Sequence, residues 1–243
     1  MFVHWSPWHG CHKMSEGCLN CYVYFLDRRY GRDTSVVTRS QTGFNLPVAK
    51  NRFKEYKFPS GTTFAVCLNS DFFIENADLW RDEAWAIMKE RRDCSFFIIT
   101  KRALRIPSAL PKDWGIGYPN VEIDVTTENQ KAVDQRLPIF IDTPVSYRGV
   151  IVSPVLAAID LHYFLATGKI AEVSASGESY SGARVTKFDD ILVIRQQCID
   201  HNVSFTFHQT GRFLLKDGKI QSIARAMERK LAAQFGLDFI RKS

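Results

Sequence analysis

The sequence contains no apolar run approaching the roughly eighteen residues of a membrane-spanning helix, so we expect no membrane span and no membrane partner. Its opening residues, MFVHWSPWHGC, have neither a basic n-region nor a long apolar stretch, and we expect no signal peptide. Internal repeats and low-complexity tracts are also lacking. Six cysteines without a secretion signal indicate reduced thiols or metal ligands rather than disulfides. We therefore predict a soluble cytoplasmic protein.

The composition is that of an ordinary globular chain, with 243 residues, 45% hydrophobic and 24% charged. Seven short apolar runs rich in strand-forming residues alternate with amphipathic stretches. The predicted strands are 2–5, 62–68, 95–100, 121–126, 148–153, 170–175 and 203–208, and the predicted helices are 20–30, 76–92, 129–137, 156–166, 188–201 and 220–235. This alternation predicts an α/β fold with a parallel sheet, a complete or partial (β/α) TIM-like barrel in a single domain over residues 1–243.

The positive charge is concentrated in one segment. Residues 28–57 carry eight Lys or Arg side chains against two acidic ones, a balance of 8 − 2 = +6 that equals the net charge of the whole chain. Four aromatic residues, Tyr30, Phe44, Phe53 and Tyr56, are interleaved with them. We predict a basic loop insertion at about residues 28–60, which is either a solvated surface loop or a contact for phosphates and stacked bases.

Polar side chains follow every predicted strand, and the carboxyl ends of parallel strands lie on one face of a barrel, where active sites form. Ser70, Thr127 or Ser179 taken singly could be an ordinary helix cap. A Lys-Arg pair, two glutamates and a histidine at one rim are better explained by a site. The rim candidates include Asp71, Lys101, Arg102, Glu128, Glu178 and His208.

Three cysteines lie close together after the first strand, and no second C-x2-C or C-x2-H module accompanies them. Cys11, Cys18 and Cys21 form the spacing C-x6-C-x2-C. A zinc site would need a fourth ligand, for which His9 or His12 is available. A [4Fe–4S] cluster held by three cysteines would leave one iron open to an outside ligand, which fits the missing fourth cysteine better. The other cysteines, Cys67, Cys94 and Cys198, are predicted to be buried core thiols.

Three closely spaced cysteines after the first strand of a parallel barrel, with the aromatic Tyr22 beside the last one, resemble the radical-SAM arrangement. The usual radical-SAM spacing is C-x3-C-x2-C, from which the six-residue gap departs. The chain also resembles a phage-associated three-cysteine-motif family, often described only as a phage "gp" protein. The matching blocks are G-C-x6-C-x-N-C-Y from Gly10, N-S-D-F from Asn69, T-K-R from Thr100, T-E-N-Q from Thr127, G-E-S with G-A-R from Gly177 to Arg184, and Cys198 through Gly211.

This resemblance implies a radical-SAM-type partial barrel that carries a [4Fe–4S] cluster, binds S-adenosylmethionine (SAM) at its open iron and takes electrons from a donor protein. The rim supplies Asp71, Glu128 and His208 as candidate catalytic residues, and the resemblance implies Cys11, Cys18 and Cys21 as cluster ligands. The cofactor-binding residues it implies are Tyr22, Lys101, Arg102, Ser176, Gly177, Glu178, Ser179 and Arg184. The chain departs from the family at Ser153, at Ser176 and at His208.

The function expected from these patterns is a radical-SAM-type enzyme that modifies a nucleotide or nucleic-acid-related substrate, because the basic segment follows the cysteines closely. One alternative is a non-catalytic nucleic-acid-binding protein stabilised by zinc or by a cluster. Another is an iron–sulfur protein that only transfers electrons to a partner. Converging carboxylates and cations at one rim favour the enzyme over both.

Overall fold

A computed structural model describes residues 1–180 and 182–242. The strands in this part of the chain are β1 Phe2–Trp5, β2 Trp8–His9, β3 Thr38–Arg39, β4 Thr63–Val66, β5 Ser95–Thr100, β6 Val121–Thr126, β7 Tyr147–Val152, β8 Glu172–Ser176, β9 Val185–Lys187, β10 Ser204–Gln209, β11 Phe213–Lys216 and β12 Lys219–Ser222. The α-helices there are α1 Tyr22–Arg29, α2 Asp78–Glu90, α3 Ile106–Ala109, α4 Gln130–Asp142, α5 His162–Leu165, α6 Phe188–Asp200 and α7 Arg225–Gln234.

The main sheet has seven parallel strands among the described residues, in the order β1-β4-β5-β6-β7-β8-β10. This is the order in which the sequence predicted them, and the sheet curls into a half-barrel. The predicted α/β class and parallel sheet are thus confirmed, in the form of a partial barrel.

One face of the curled sheet is the core. The residues of β6 alternate, so that Val121, Ile123 and Val125 join one large hydrophobic cluster with Leu137 and Phe140 of α4. The strand residues between them point to the opposite, concave face, which is free of the packed helices. The carboxyl ends of all seven strands lie at one edge, the mouth of the half-barrel.

Three predicted helices are wrong in extent, and the one predicted over 129–137 is α4, which continues to Asp142. Residues 156–166 contain only the short helix α5, because most of the segment packs as an irregular connection. Residues 219–222 form strand β12 instead of the start of a helix, and α7 begins at Arg225. β12 pairs antiparallel with β11 across Asp217-Gly218, both with positive φ (52° and 71°), as in a two-residue type I′ turn. This Asp-Gly turn was readable in the sequence.

The basic segment is an ordered loop that packs along β1 and α2. Phe44 is 2% exposed, and its carbonyl accepts a hydrogen bond from the Trp5 indole at 2.9 Å. Phe44 therefore cannot stack on a base, contrary to the sequence interpretation. Tyr56 donates to Glu90. Of the four aromatics named for this segment, Tyr30 (73% exposed) and Phe53 (67% exposed) are open to solvent.

Within the described ranges, no helix has both the length and the apolar character needed to cross a membrane. All six cysteines are free thiols, and the predicted core thiols Cys67, Cys94 and Cys198 are buried. Cys67 lies one residue past β4 with a positive φ of 57°, so it is outside the strand that was predicted to contain it.

Candidate metal and cofactor site at the mouth of the half-barrel

The cysteine loop, residues 10–21, lies across the carboxyl ends of the strands. The Gly10 amide donates to the carbonyl of Asn69 at 3.3 Å, and the Cys11 amide donates to Thr34 at 2.7 Å. The Ser70 hydroxyl donates to the Gly10 carbonyl. These bonds join the loop to Thr34 and to the segment after β4, and all three of its thiols are partly exposed.

Arg102 lies directly beside the first thiol. Its Nη1 is 3.7 Å from Cys11 Sγ and 3.3 Å from Asp71 Oδ2, while its Nη2 donates to the His12 carbonyl at 3.0 Å. Burial and then the charge of Asp71 raise the pKa of Cys11 to about 11, and Arg102 opposes that rise. Asp71 also accepts a hydrogen bond from Thr100 at 2.8 Å. These contacts make Asp71 a residue that positions Arg102 against a thiol.

Cys21 is the residue that precedes helix α1. Burial raises the pKa of its thiol, while the amides of Val23 and Tyr24 and the charge of Lys101 act in the opposite direction. Amide donors at a helix start and a nearby ammonium are groups that stabilise a thiolate. At Cys21 they offset the effect of burial only in part, so the pKa of this thiol stays above its ordinary value.

A buried ion pair anchors the middle of the cysteine loop. Glu128, 1% exposed, accepts from Arg136 Nη1 at 2.7 Å and from Nη2 at 3.2 Å. Its Oε1 also accepts from the Gly17 amide at 3.3 Å. A Cβ on Gly17 would lie 2.8 Å from the Glu128 carboxyl carbon, so only glycine allows this approach. Burial alone would raise the pKa of Glu128, but the bonds from Arg136 and Ser15 bring it below the ordinary value.

A second ion pair anchors the loop on its other side. Glu178 Oε2 accepts from the Arg184 amide at 2.9 Å, from Arg184 Nε at 3.0 Å and from the Asn20 side chain at 3.1 Å. Asn20 also donates to Gly182 at 2.7 Å, and Arg184 donates to the Glu16 carbonyl at 3.1 Å. Asn20 stands between Cys18 and Cys21 in the sequence, so this pair fixes the C-x2-C segment.

Lys101 is the cation at the mouth that remains available. Its Nζ is 3.3 Å from the Ser153 carbonyl, and it makes no ion pair with any residue the structure describes. Beside it lies a cavity of about 770 Å³ between the cysteine loop, the segment after β5 and the start of α4. Its lining includes Lys13, Arg105 and Lys131. The cavity is large enough for a nucleoside-sized ligand, and its cations suit a carboxylate or a phosphate.

Five predicted residues make their contacts with other parts of the chain rather than with the thiols. Tyr22 donates its hydroxyl to the Leu68 carbonyl, and Ser179 bonds to the buried Glu228. Ser176 ends β8, and a Cβ on Gly177 would lie 2.3 Å from Thr210 O and from Thr186 Oγ1, so Gly177 serves close packing. His208 is exposed at a bulge in β10. The residues outside the prediction that hold this site are Glu16, Gly17, Asn20 and Arg136, whose partners lie far away in sequence.

The donor chemistry fits a metal centre with three thiolates, since soft sulfur ligands on one short loop select iron–sulfur clusters or zinc. In the described ranges, no three His, Cys, Asp or Glu side chains are already grouped as metal ligands, so the thiols would have to turn toward one another. His9 does not suit a fourth ligand, because Asp27 and Asn69 occupy its two ring nitrogens at 2.8 and 2.9 Å.

Comparison with family models places this arrangement in a family. A model described as "Protein of unknown function (DUF5131)" matches residues 3–236. The chain belongs to the DUF5131 family. The DUF5131 match includes the cysteine loop, both ion pairs and the whole half-barrel. Searches of curated proteins and of solved structures found no match. The description of the family names neither a reaction nor a phage origin. A radical-SAM function for this chain is therefore a proposal.

Proposed function

We propose that this DUF5131 protein is an iron–sulfur enzyme of the radical-SAM type that acts on a nucleotide or nucleic-acid-related substrate. The observation that supports it best is the construction of the cysteine loop. Three partly exposed thiols stand on one loop. Two carboxylate–arginine pairs, whose glutamates follow the ends of β6 and β8, fix that loop over the mouth of a parallel half-barrel.

The proposal assigns a role to the cysteines and to two basic residues at the mouth of the half-barrel. Cys11, Cys18 and Cys21 would hold a [4Fe–4S] cluster, and Arg102 would balance the charge of the Cys11 thiolate. A bound cluster and SAM would supply reductive SAM cleavage by one electron and hydrogen abstraction from a substrate. The chain's own part is to bind and to exclude water. Lys101 is placed to bind a carboxylate or phosphate, because it has no ion-pair partner among the described side chains.

Glu178 and Arg184 fit a different role from the one implied by resemblance. Among the described residues, the donors to the Glu178 carboxylate belong to Arg184 and Asn20, so the pair positions the loop. In the proposed enzyme, Lys101 and the adjoining cavity take over SAM carboxylate recognition, and Glu178 acts as a positioning residue.

The test is anaerobic purification followed by iron, sulfide and zinc analysis, and then reduction with dithionite in the presence of SAM. We expect a brown protein with about four irons per chain and formation of 5′-deoxyadenosine. Cys18→Ala should lose the iron and the colour, whereas the matched control Cys198→Ala, which removes a buried core thiol, should keep both. Stoichiometric zinc in the natural chain, or a coloured Cys18→Ala protein, would contradict the proposal.

A second candidate function is nucleic-acid binding without catalysis, and one observation favours it. All eight cations of residues 28–57 are exposed, and within the described ranges only Arg39 has a carboxylate partner, Glu83 at 2.7 Å. Phe53 is 67% exposed beside Arg52. Unpaired cations and an exposed aromatic ring suit a phosphate backbone and a stacked base.

Oligonucleotide binding and SAM cleavage, measured on the same variant, distinguish the two candidate functions. Binding of a fluorescent single-stranded oligonucleotide should weaken steeply with salt in either case, and Arg52→Glu should weaken it further. An enzyme keeps SAM cleavage in Arg52→Glu, because that residue is not part of the cavity lining at the mouth. A protein that binds the oligonucleotide tightly, contains zinc and leaves SAM intact would favour the binding function.

A further inference from the structure

The concave face of the half-barrel carries a second polar cluster, which no part of the proposed mechanism uses. In the sheet register, Asp124 of β6 stands opposite Gly149 of β7, and Gly149 stands opposite Glu172 of β8. Glu122 lies two residues before Asp124 and therefore points to the same face. We call these three carboxylates, with Gly149 between them, the acidic hollow.

Among the described residues, the acidic hollow has no Lys or Arg partner. The charge of Glu172 does act on His208 of β10, where it opposes the lowering of the His208 pKa by burial. None of its three carboxylates forms an ion pair with any residue in the described part of the chain. Asp124 is 7% exposed, and its Oδ1 has no hydrogen-bond partner there. Further along the same face, the Thr126 hydroxyl is also buried and unpartnered, with the residue 1% exposed. Unsatisfied buried oxygen atoms on one face indicate that a hydrogen-bonding partner belongs there.

Gly149 is what makes the hollow possible. A Cβ at this position would lie 2.2 Å from Asp124 Oδ1, so the carboxylate occupies the space that a side chain on β7 would fill. Glu172 accepts from Thr206 at 2.9 Å and lies 3.4 Å from the Tyr147 hydroxyl. Glu172 is thus held in place, while Oδ1 of Asp124 is left free to accept.

Burial and mutual repulsion raise the pKa values of the carboxylates in the hollow, as expected for carboxylates without a counter-ion. Burial first, and then the charge of Glu172, raise the pKa of Glu122 to about 7. The same causes, with Glu122 in addition, raise the pKa of Asp124 well above its ordinary value. A cationic ligand would remove this repulsion.

The surroundings select the kind of cation. The described side chains include no metal-ligand group, so three carboxylates at these positions do not converge on a small ion. On the β5 side, the register places Phe97 beside Glu122 and Ile99 beside Asp124, which gives the hollow an apolar wall. Carboxylates next to an apolar wall suit an ammonium or guanidinium group on an apolar stem.

We propose that the acidic hollow is a binding site for an organic cation, a primary ammonium or guanidinium group, that donates hydrogen bonds to Asp124 and Glu172. The site opens to solvent where Tyr147 is 37% exposed. It does not depend on the cluster or on SAM. Asp124 lies four residues before Glu128, about 13 Å along an extended strand, so a ligand bound here would be separate from the cysteine loop and could extend toward it.

The test uses the full chain with agmatine and with butylguanidinium as probes, and with the neutral isostere butylurea as the matched ligand control. Affinity is measured by titration calorimetry and by the shift in melting temperature. We expect both cations to bind and butylurea not to bind. Asp124→Asn and Glu172→Gln should each weaken agmatine at least tenfold, because each removes a carboxylate acceptor. Asp82→Asn, which removes an exposed carboxylate on α2, should leave the affinity unchanged.

Several results would overturn the proposal: no agmatine binding, equal binding of butylurea, or unchanged affinity in Asp124→Asn. Stabilisation by MgCl2 or CaCl2 that depends on Asp124, with none by agmatine, would show a metal site instead. Asp124→Asn also provides a readout without ligand. Since it removes an uncompensated buried charge, its melting temperature at pH 8 should equal or exceed that of the natural chain.

Discussion

The strongest prediction concerns the buried pair that anchors the cysteine loop. Arg136→Met removes both bonds to Glu128 and the bond from Arg136 to the Thr126 carbonyl at 2.6 Å, but keeps an apolar stem of similar length. Glu128, 1% exposed, would keep mainly the Gly17 amide as a donor. Breaking a buried pair from one side costs about 3–5 kcal/mol. For a chain of this size, that corresponds to a fall in melting temperature of roughly 10 °C.

The pH dependence gives this prediction a specific sign. In the natural chain the lowered pKa of Glu128 contributes stability above its ordinary pKa, and that stability is lost as the pH falls. In Arg136→Met, burial without a partner should raise the same pKa, so Glu128 takes up a proton at mildly acidic pH. The stability difference between the two proteins should therefore be largest near pH 8 and smaller near pH 5.

The assay is chemical denaturation followed by fluorescence at both pH values, for the natural chain, Arg136→Met, Glu128→Gln and the double variant. The double variant should be more stable than the sum of the single losses predicts, because it leaves no unpaired charge. A loss under about 1 kcal/mol in Arg136→Met, well below the usual cost of an uncompensated buried charge, or additive losses in the cycle, would refute the reasoning.

Three further predictions rest on single contacts. Gly17→Ala should move the cysteine loop away from Glu128, because its Cβ would lie 2.8 Å from the carboxyl carbon; the loop thiols should then react faster with a disulfide reagent, and an unchanged rate would contradict this. The raised pKa of Glu122, about 7, makes the natural chain lose stability as the pH rises through that value. Glu122→Gln removes this loss, so its gain in free energy of unfolding over the natural chain should be larger at pH 8 than at pH 5 by about 1–2 kcal/mol, after allowance for partial exposure. Parallel curves of stability against pH for the two proteins would argue against this. Gly149→Ala should cost about 1–3 kcal/mol in a denaturation experiment, since its Cβ would meet Asp124 Oδ1 at 2.2 Å, and a neutral effect would show that Asp124 can move aside.

The local pattern of apolar and polar residues was sufficient to predict the strands of the main sheet. The strands at 95–100 and 121–126 were predicted with the bounds that the structure has. The first is a continuous apolar run and the second alternates apolar and polar residues, and both patterns are typical of strands. The hairpin of β11 and β12 was missed although Asp217-Gly218 signals it, since the following polar residues also fit a helix. The helix predicted over 156–166 failed because packing, not periodicity, determines that connection.

At the candidate site, the sequence alone determined the three-cysteine spacing and, through the order of strands, which polar side chains would meet at one mouth. Only the tertiary structure decided how those side chains are used. Glu128 bonds to Gly17 across 111 residues, and Glu178 bonds to Asn20 across 158. The acidic hollow was likewise invisible, because Asp124 and Glu172 lie on different strands and are brought together only by their common register with Gly149. Pairing between distant residues depends on sheet register and curvature, which a local pattern of residues does not contain.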